Sequence, residues 1–398
     1  MQIRLTLEAF FRTHKYLIEH MDVPVRRLLM DEIDWKQRLI GIKGSRGVGK
    51  TTFLLDYARQ NFGTDRSCLY VNLNNFYFTG QTLVNFADKF RRNGGKTLLI
   101  DQIFKYPNWS KELRYCYDNF KDLKIVFTGS SIMRLKGENP DLDGCVDSYI
   151  LRGFSLREFI NLTAGTALKH YSLDEILQSH EQIANDILKV VKPSAYFQDY
   201  LHHGYYPFFL EKKNYSENLL KTINITLEID ILLLKQIELS YLPKIRKLLY
   251  LLASNEPTAP NISQLSLDIQ TSRATAMNYI KYLKDARMLN ILYPKDENFP
   301  KKPSKVYLQN TNLMYAFWPA VVSEQAVRET FFYNSLIRSH KVNKGEKNAQ
   351  FLIDGKYNFC IANKDDRIKK KDGTFIAADS LDKGEENKIP LWLFGFLY

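Results

Sequence analysis

Cysteine is scarce in this chain, four in 398 residues. Cys68, Cys116, Cys145 and Cys360 lie far apart and form no C-x-x-C pair, which argues against a thiolate zinc site and against a disulfide framework. Long apolar runs are lacking too. None approaches the ~20 residues that cross a bilayer, so no membrane partner is expected. The N-terminus alternates apolar residues with Arg4, Glu8, Arg12, Lys15 and Glu19, the wrong pattern for a signal peptide. The expected location is cytoplasmic. Internal repeats and low-complexity tracts are absent. Acidic residues are in deficit, 44 against 56 Lys and Arg, for a net charge of +12. That balance is compatible with nucleic acid or another anionic partner but says nothing about specificity. The length points to two or three domains.

What is present is a glycine-rich loop, Gly44-Ser45-Arg46-Gly47-Val48-Gly49-Lys50-Thr51. It fits G-x-x-x-x-G-K-[ST], whose backbone N–H groups cradle nucleotide phosphates. Gly44, Arg46, Gly47, Val48, Gly49, Lys50, Thr51 and Thr52 are the candidate ATP-binding residues. Lys50 would reach the β and γ phosphates, and the Thr51 hydroxyl would ligate Mg²⁺. Arg38–Lys43 reads as a buried strand and Thr52–Ala58 as the start of a helix, the context this loop needs. The alternative is an ordinary Gly-rich turn.

Residues 1–35 read as a charged helical lead-in, and 36–165 as alternating strands and helices. Strands are expected at Cys68–Leu73, Thr97–Asp101 and Lys124–Thr128, and helices at Leu83–Arg92 and 109–120, the second capped by Asn108. This alternation predicts a mostly parallel sheet with helices on both faces. Residues 166–255 are helical, with one apolar spacing from Leu219 through Leu252. The turn-rich Asn255–Asn261 marks a boundary. In 256–319, two short helices (Gln264–Ile269 and one from Ser272) precede a β-wing near Arg287–Tyr293 and a strand at Lys305–Leu308. That is the outline of a winged helix-turn-helix able to meet double-stranded DNA, with a helical pair used for packing or dimerisation as the alternative. In 320–398 a helix around Arg328–His340 precedes strands at Phe351–Ile353 and Tyr357–Ile361. A basic run follows, Arg367 through Lys371. The aromatic tail Leu391–Tyr398 is too apolar for water and is expected as a buried strand.

Asp101, at a strand tip, is the candidate second metal residue beside Thr51; a plain strand-end carboxylate is the alternative. The next residue, where a base for the attacking water is often found, is Gln102. A neutral amide orients water but cannot take its proton. Thr128, Ser130 and Ser131 end the following strand, where a polar side chain can sense the γ-phosphate or merely close a turn. Arg134, Arg152 and Arg157 are candidate arginine fingers or ordinary salt-bridged arginines; Arg152 and Arg157 join Gln102 as catalytic candidates.

Gly41–Leu54, Leu98–Asp101 with Lys105–Trp109, Phe127–Ser131, Gly153–Phe159, Tyr205-Tyr206-Pro207, Gln309–Tyr315, Val327–Phe332 and Ile389–Tyr398 resemble AAA family ATPases of Bacteroidales type, with an AAA-like domain followed by a DUF4143 region. The resemblance implies an additional-strand P-loop NTPase fold, a winged helix, and a C-terminal α/β domain similar to restriction-endonuclease-like nucleases. Three departures stand out. The family usually has Asp-Glu where this chain has Asp101-Gln102. It usually has Ser-Arg-Arg where the corresponding segment reads Asp143-Gly144-Cys145. A family glutamate is replaced in Cys360-Ile361-Ala362-Asn363-Lys364, although Glu329, Asp354 and Lys364 persist, so the nuclease-like domain reads as degenerate. The residues that hold nucleotide remain while those for hydrolysis and cleavage are altered. The expectation is an ATP-binding switch with slow or absent hydrolysis, with an active ATPase coupled to DNA or protein remodelling as the alternative and a nuclease behind both. A homo-oligomer or a protein partner is compatible with either.

Overall fold

The computed structural model describes residues 2–135, 138–211, 214–233, 235–317, 323–346, 348–366 and 373–398. The basic run from Arg367 to Lys371 lies outside them. The chain divides into two compact units, Met1–Arg152 and Gly153–Tyr398.

The first unit is built on β1 (Leu39–Gly44), β2 (Cys68–Asn72), β3 (Thr97–Asp101), β4 (Lys124–Ser130) and β5 (Asp147–Ile150). They form a five-stranded sheet in the order β2-β3-β4-β1-β5, every neighbouring pair parallel. All five strands therefore end on one edge, where the loops that can hold a ligand collect. β4 lies between β1 and β3, one strand inserted between the glycine loop's strand and that of Asp101. β3 is buried throughout, as its unbroken apolar run requires. Helix Leu83–Arg92 buries Leu83, Phe86, Ala87 and Phe90 on one stripe, its start capped by Thr82. The next helix is Trp109–Asn119. Asn108 holds its cap position but sits at φ +54, and its side chain makes no cap bond. Its carbonyl instead accepts from Glu112 N at 3.1 Å. The lead-in is a helix, Gln2–His20, that packs on this core: the Phe10 ring meets Tyr77, Phe78 and Phe86.

In the second unit, helices Leu156–Ala164 and Leu173–Leu188 open on capping boxes, Ser155 with Glu158 and Ser172 with Glu175. The apolar spacing from Leu219 to Leu252 is not one helix. Tyr215–Ile225 widens into a π-helical stretch, Thr226–Leu233, and a new helix, Leu242–Ala253, begins with Pro243 in its first turn. Proline has no N–H to bond back to the preceding turn, so it starts a helix more readily than it continues one. Helices Ile262–Asp268 and Arg273–Asp285 follow, then an antiparallel pair, β6 (Leu289–Leu292) and β7 (Lys305–Leu308).

The C-terminal part is a five-stranded mixed sheet. Its strands are β8 (Val342–Lys344), β9 (Phe351–Ile353), β10 (Tyr357–Asn363), β11 (Thr374–Asp379) and β12 (Lys388–Pro390), in the order β12-β11-β10-β9-β8. Helix Glu324–Leu336 is buried along most of its length. The aromatic tail is buried, but as a 3-10 helix, Leu391–Phe396, and not as a strand. Pro390 brings no N–H to a ladder, and Trp392, Leu393, Phe394 and Phe396 are all buried. A two-faced strand with alternate residues outward suits such a segment less than a helical turn does.

Candidate functional site

The site is assembled at the C-terminal edge of the parallel sheet. After β1 the chain turns through Gly47 (φ +79) and Gly49 (φ +90), left-handed values that any side chain would strain. A Cβ on Gly44 would fall 2.3 Å from the Leu151 carbonyl, so that position is closed to larger residues. Helix Lys50–Asn61 starts at once, and its first N–H groups face the loop. Lys50 Nζ donates to the carbonyls of Gly44 (2.9 Å) and Ser45 (2.7 Å), folded over the loop that it would leave for a phosphate. Arg46 lies with its guanidinium 5.5 Å from the Phe104 ring centroid. Val48 is buried; Thr52 is exposed in the first turn of the helix.

Asp101 is the centre of the polar contacts. It is 1% exposed and accepts from four groups. Thr51 Oγ1 donates to Oδ2 at 2.6 Å and the Tyr70 hydroxyl to the same oxygen at 2.9 Å. The Thr128 hydroxyl and the Gln102 N–H (3.0 Å) donate to Oδ1. Strands β2, β3 and β4 and the first turn of the helix after the loop thus meet on one carboxylate. Burial, and then the neighbouring Asp101 charge, push the Tyr70 phenol well above its ordinary range, so its proton stays on. Gln102 takes the left-handed conformation, φ +56, and its Oε1 accepts from Asn74 Nδ2 at 2.8 Å.

The structure brings together Thr51, Asp101, Gln102 and Thr128, with Lys50 on the adjacent loop. It does not bring Arg157 to this group. Arg157 belongs to the second unit, where Nε donates to the Tyr398 carbonyl at 3.0 Å and Nη1 to that of Leu168 at 3.2 Å. Arg152 is buried at the end of the first unit, its carbonyl accepting from Arg27 Nη2 at 2.6 Å. Sequence reasoning passed over three residues. Arg27 also donates to the Val48 carbonyl (3.2 Å), tying the loop from outside. Tyr70 lies on β2 and Asn74 just beyond it, both remote in sequence from the glycine loop. The available signal for Tyr70 and Asn74 was a polar side chain on or just after a neighbouring strand; Arg27, between two helices, offered none.

An ATP–Mg²⁺ complex fits the chemistry of this donor set. The glycine loop and Lys50 would hold phosphates, and the Thr51 hydroxyl is a hard oxygen of the kind magnesium takes, while both oxygens of Asp101 already accept from donors of the chain. Bound Mg²⁺ would neutralise phosphate charge.

Glu329, Asp354 and Lys364, expected from the sequence in a nuclease-like domain, belong to the second unit. Glu329 accepts from Lys305 (3.0 Å) and the Tyr307 hydroxyl (2.7 Å), Asp354 accepts from His340 Nδ1 (2.7 Å), and Lys364 follows β10. Among the described residues no group of three or more His, Cys, Asp or Glu is placed to hold a metal. No described helix is long and apolar enough to cross a membrane.

Comparison with known proteins gives two family matches. A family model described as an AAA domain matches residues 36–160, and one described as a domain of unknown function (DUF8612) matches 194–320. The uncharacterized protein MJ1637 of Methanocaldococcus jannaschii is 25% identical over 300 residues, 71% of this chain. The chain covers 63% of that relative's length. Solved structures of the replication initiator DnaA align at low scores. One bound to AMPPCP and single-stranded DNA is 14% identical, covering 69% of this chain and 92% of its own, with a TM-score of 0.27. The AMPPCP-bound protein from Aquifex aeolicus is 13% identical with the same coverage and a TM-score of 0.28. Such scores are too low to carry a fold assignment. With the family match, the glycine loop and the parallel strand order taken together, the first unit carries an AAA-like P-loop domain.

Proposed function

We propose that the first unit binds ATP with Mg²⁺ and acts as a nucleotide-dependent switch in the cytoplasm that hydrolyses slowly or not at all. The observation that carries this reading is Gln102. It follows the Asp101 carboxylate where a base is wanted, it cannot accept a proton, and its amide oxygen is engaged by Asn74. ATP can bias a conformational equilibrium by differential contacts without turnover. Steady-state hydrolysis tests the proposal, with wild type beside Gln102→Glu and Lys50→Ala as blank. Wild type at the blank with activity gained by Gln102→Glu supports the switch. Wild type well above the blank overturns it in favour of an active ATPase.

The divisions at 165, 255 and 319, the DUF4143-type relationship of Bacteroidales members, and the degenerate nuclease-like reading of 320–398 belong to the same proposal. For 256–319 we favour a winged helix that meets double-stranded DNA. Two helices followed by the β6–β7 pair have that order, and Arg273 and Lys281 lie on the second helix. DNA affinity should fall steeply with salt and with loss of either cation; insensitivity to both would remove the DNA reading.

A further inference from the structure

An ionised carboxylate offers about four lone-pair positions for hydrogen bonds. Asp101 already receives four donors, two on each oxygen. A magnesium-bound water that approached it would be a fifth. The Thr51 bond is compatible with a metal, because its proton points at Asp101 and its own lone pairs remain for a cation. The Gln102 N–H is fixed by its backbone. The remaining donors are the hydroxyls of Thr128 and Tyr70, and Tyr70 is the less free to leave. Its ring is buried, and its backbone N–H donates to Nδ1 of buried His14 on the lead-in helix at 3.0 Å. A phenol turned away from Asp101 would exchange a charged acceptor for the neutral side chain of Asn72.

We infer that Tyr70 occupies the acceptor position of Asp101 that a magnesium-bound water requires, so that the metal adds little to nucleotide affinity in this chain. Tyr70 is thus a positioning residue, acting through Asp101 without touching the nucleotide. The inference rests on the nucleotide reading of the glycine loop and adds a property that the loop alone does not imply. It also ties the lead-in helix to the metal position through His14 and Tyr70.

The test is the affinity of a fluorescent N-methylanthraniloyl ATP, titrated in Mg²⁺ and in EDTA. For wild type the two dissociation constants should differ by less than about threefold. Tyr70→Phe keeps the ring and frees one acceptor on a charged group, so the ratio should rise to about tenfold or more while affinity in EDTA is unchanged. A wild-type ratio already that large, or a Tyr70→Phe ratio no larger than wild type, would overturn the inference. Thr128→Val vacates a position on the other oxygen and should also raise the ratio, which keeps the test decisive if Tyr70→Phe fails to fold. Lys50→Ala in EDTA separates the two claims. Wild-type binding that this variant abolishes supports the nucleotide site whatever the metal does, and absence of wild-type binding under both conditions overturns the nucleotide reading and this inference with it.

Discussion

Two buried polar clusters, one in each unit, look alike as sequence and differ as chemistry. In the first unit, Thr51, Tyr70, Thr128 and Gln102 converge on one carboxylate at the edge that carries the glycine loop. In the second, Tyr205-Tyr206 and Gln309–Asn312 form a neutral network. Asn312 Nδ2 donates to the carbonyls of Tyr200 and Leu201, and its Oδ1 accepts from Tyr205 N and the Tyr215 hydroxyl. Gln309 Nε2 donates to the Tyr205 hydroxyl and to Asn334 Oδ1, and Asn310 Nδ2 to the Tyr206 hydroxyl. No charged group is among these partners. A neutral network fixes one packing of a core, whereas a carboxylate beside a glycine loop lies where a ligand can be met. Segments that resemble a family equally well can thus belong to a scaffold or to a site.

This contrast is sharpest where one member of each cluster is removed. Asn312→Ala should destabilise the second unit by about 3 kcal/mol, because the Tyr200 carbonyl, the Tyr205 N–H and the Tyr215 hydroxyl lose this partner while the Leu201 carbonyl keeps the Thr311 hydroxyl, and nucleotide affinity of the first unit should stay as in wild type. Thermal melting and nucleotide titration on the same sample read both. A lost affinity would show that the network is not scaffold alone. Lys50→Ala should do the reverse, with nucleotide binding weakened by about a hundredfold, roughly 3 kcal/mol, and melting in the absence of nucleotide nearly unchanged.

Gly44→Ala bridges the two cases, because it places a Cβ against backbone at the loop itself. It should cost about 2 kcal/mol of stability and lower nucleotide affinity together; separate effects would mean that the loop shifts to admit the methyl. The smallest effect concerns pH. Burial lowers the His14 pKa, and Nδ1 must stay unprotonated to accept from Tyr70 N. The unfolded chain therefore binds this proton more readily than the folded one. The stabilisation is present above the unfolded value of about 6.5 and is lost as pH falls through the folded value. The bond at stake is worth about 1 kcal/mol, so the melting temperature should fall modestly below pH 6.5, with a shallower fall in His14→Gln.

Much of the first unit was legible in the residues. The strand at Thr97–Asp101 and the helix at Leu83–Arg92 fall where their apolar patterns place them. Local chemistry sufficed there because pattern and neighbours agreed. It misled at Asn108, whose type suits a cap but whose backbone turns left-handed, and in the tail after Pro390, where burial was read correctly and conformation was not. The Gly153–Phe159 segment is among those that resemble the family. Its physical content is a capping box, with a glycine whose Cβ would fall 2.4 Å from the Tyr205 carbonyl.

The glycine loop, the lysine, the two metal-type oxygens and the neutral Gln102 were determined by the chain alone, because each depends on residue type at fixed local spacing. Which polar groups complete the site was decided only by tertiary structure. Tyr70, Asn74 and Arg27 reach it from separate segments because parallel strands end on one edge and the lead-in helix packs beside them. Arg157, close in sequence to the first unit, is drawn instead to the carbonyls of Tyr398 and Leu168, because a buried guanidinium must satisfy its donors where the packed chain offers acceptors.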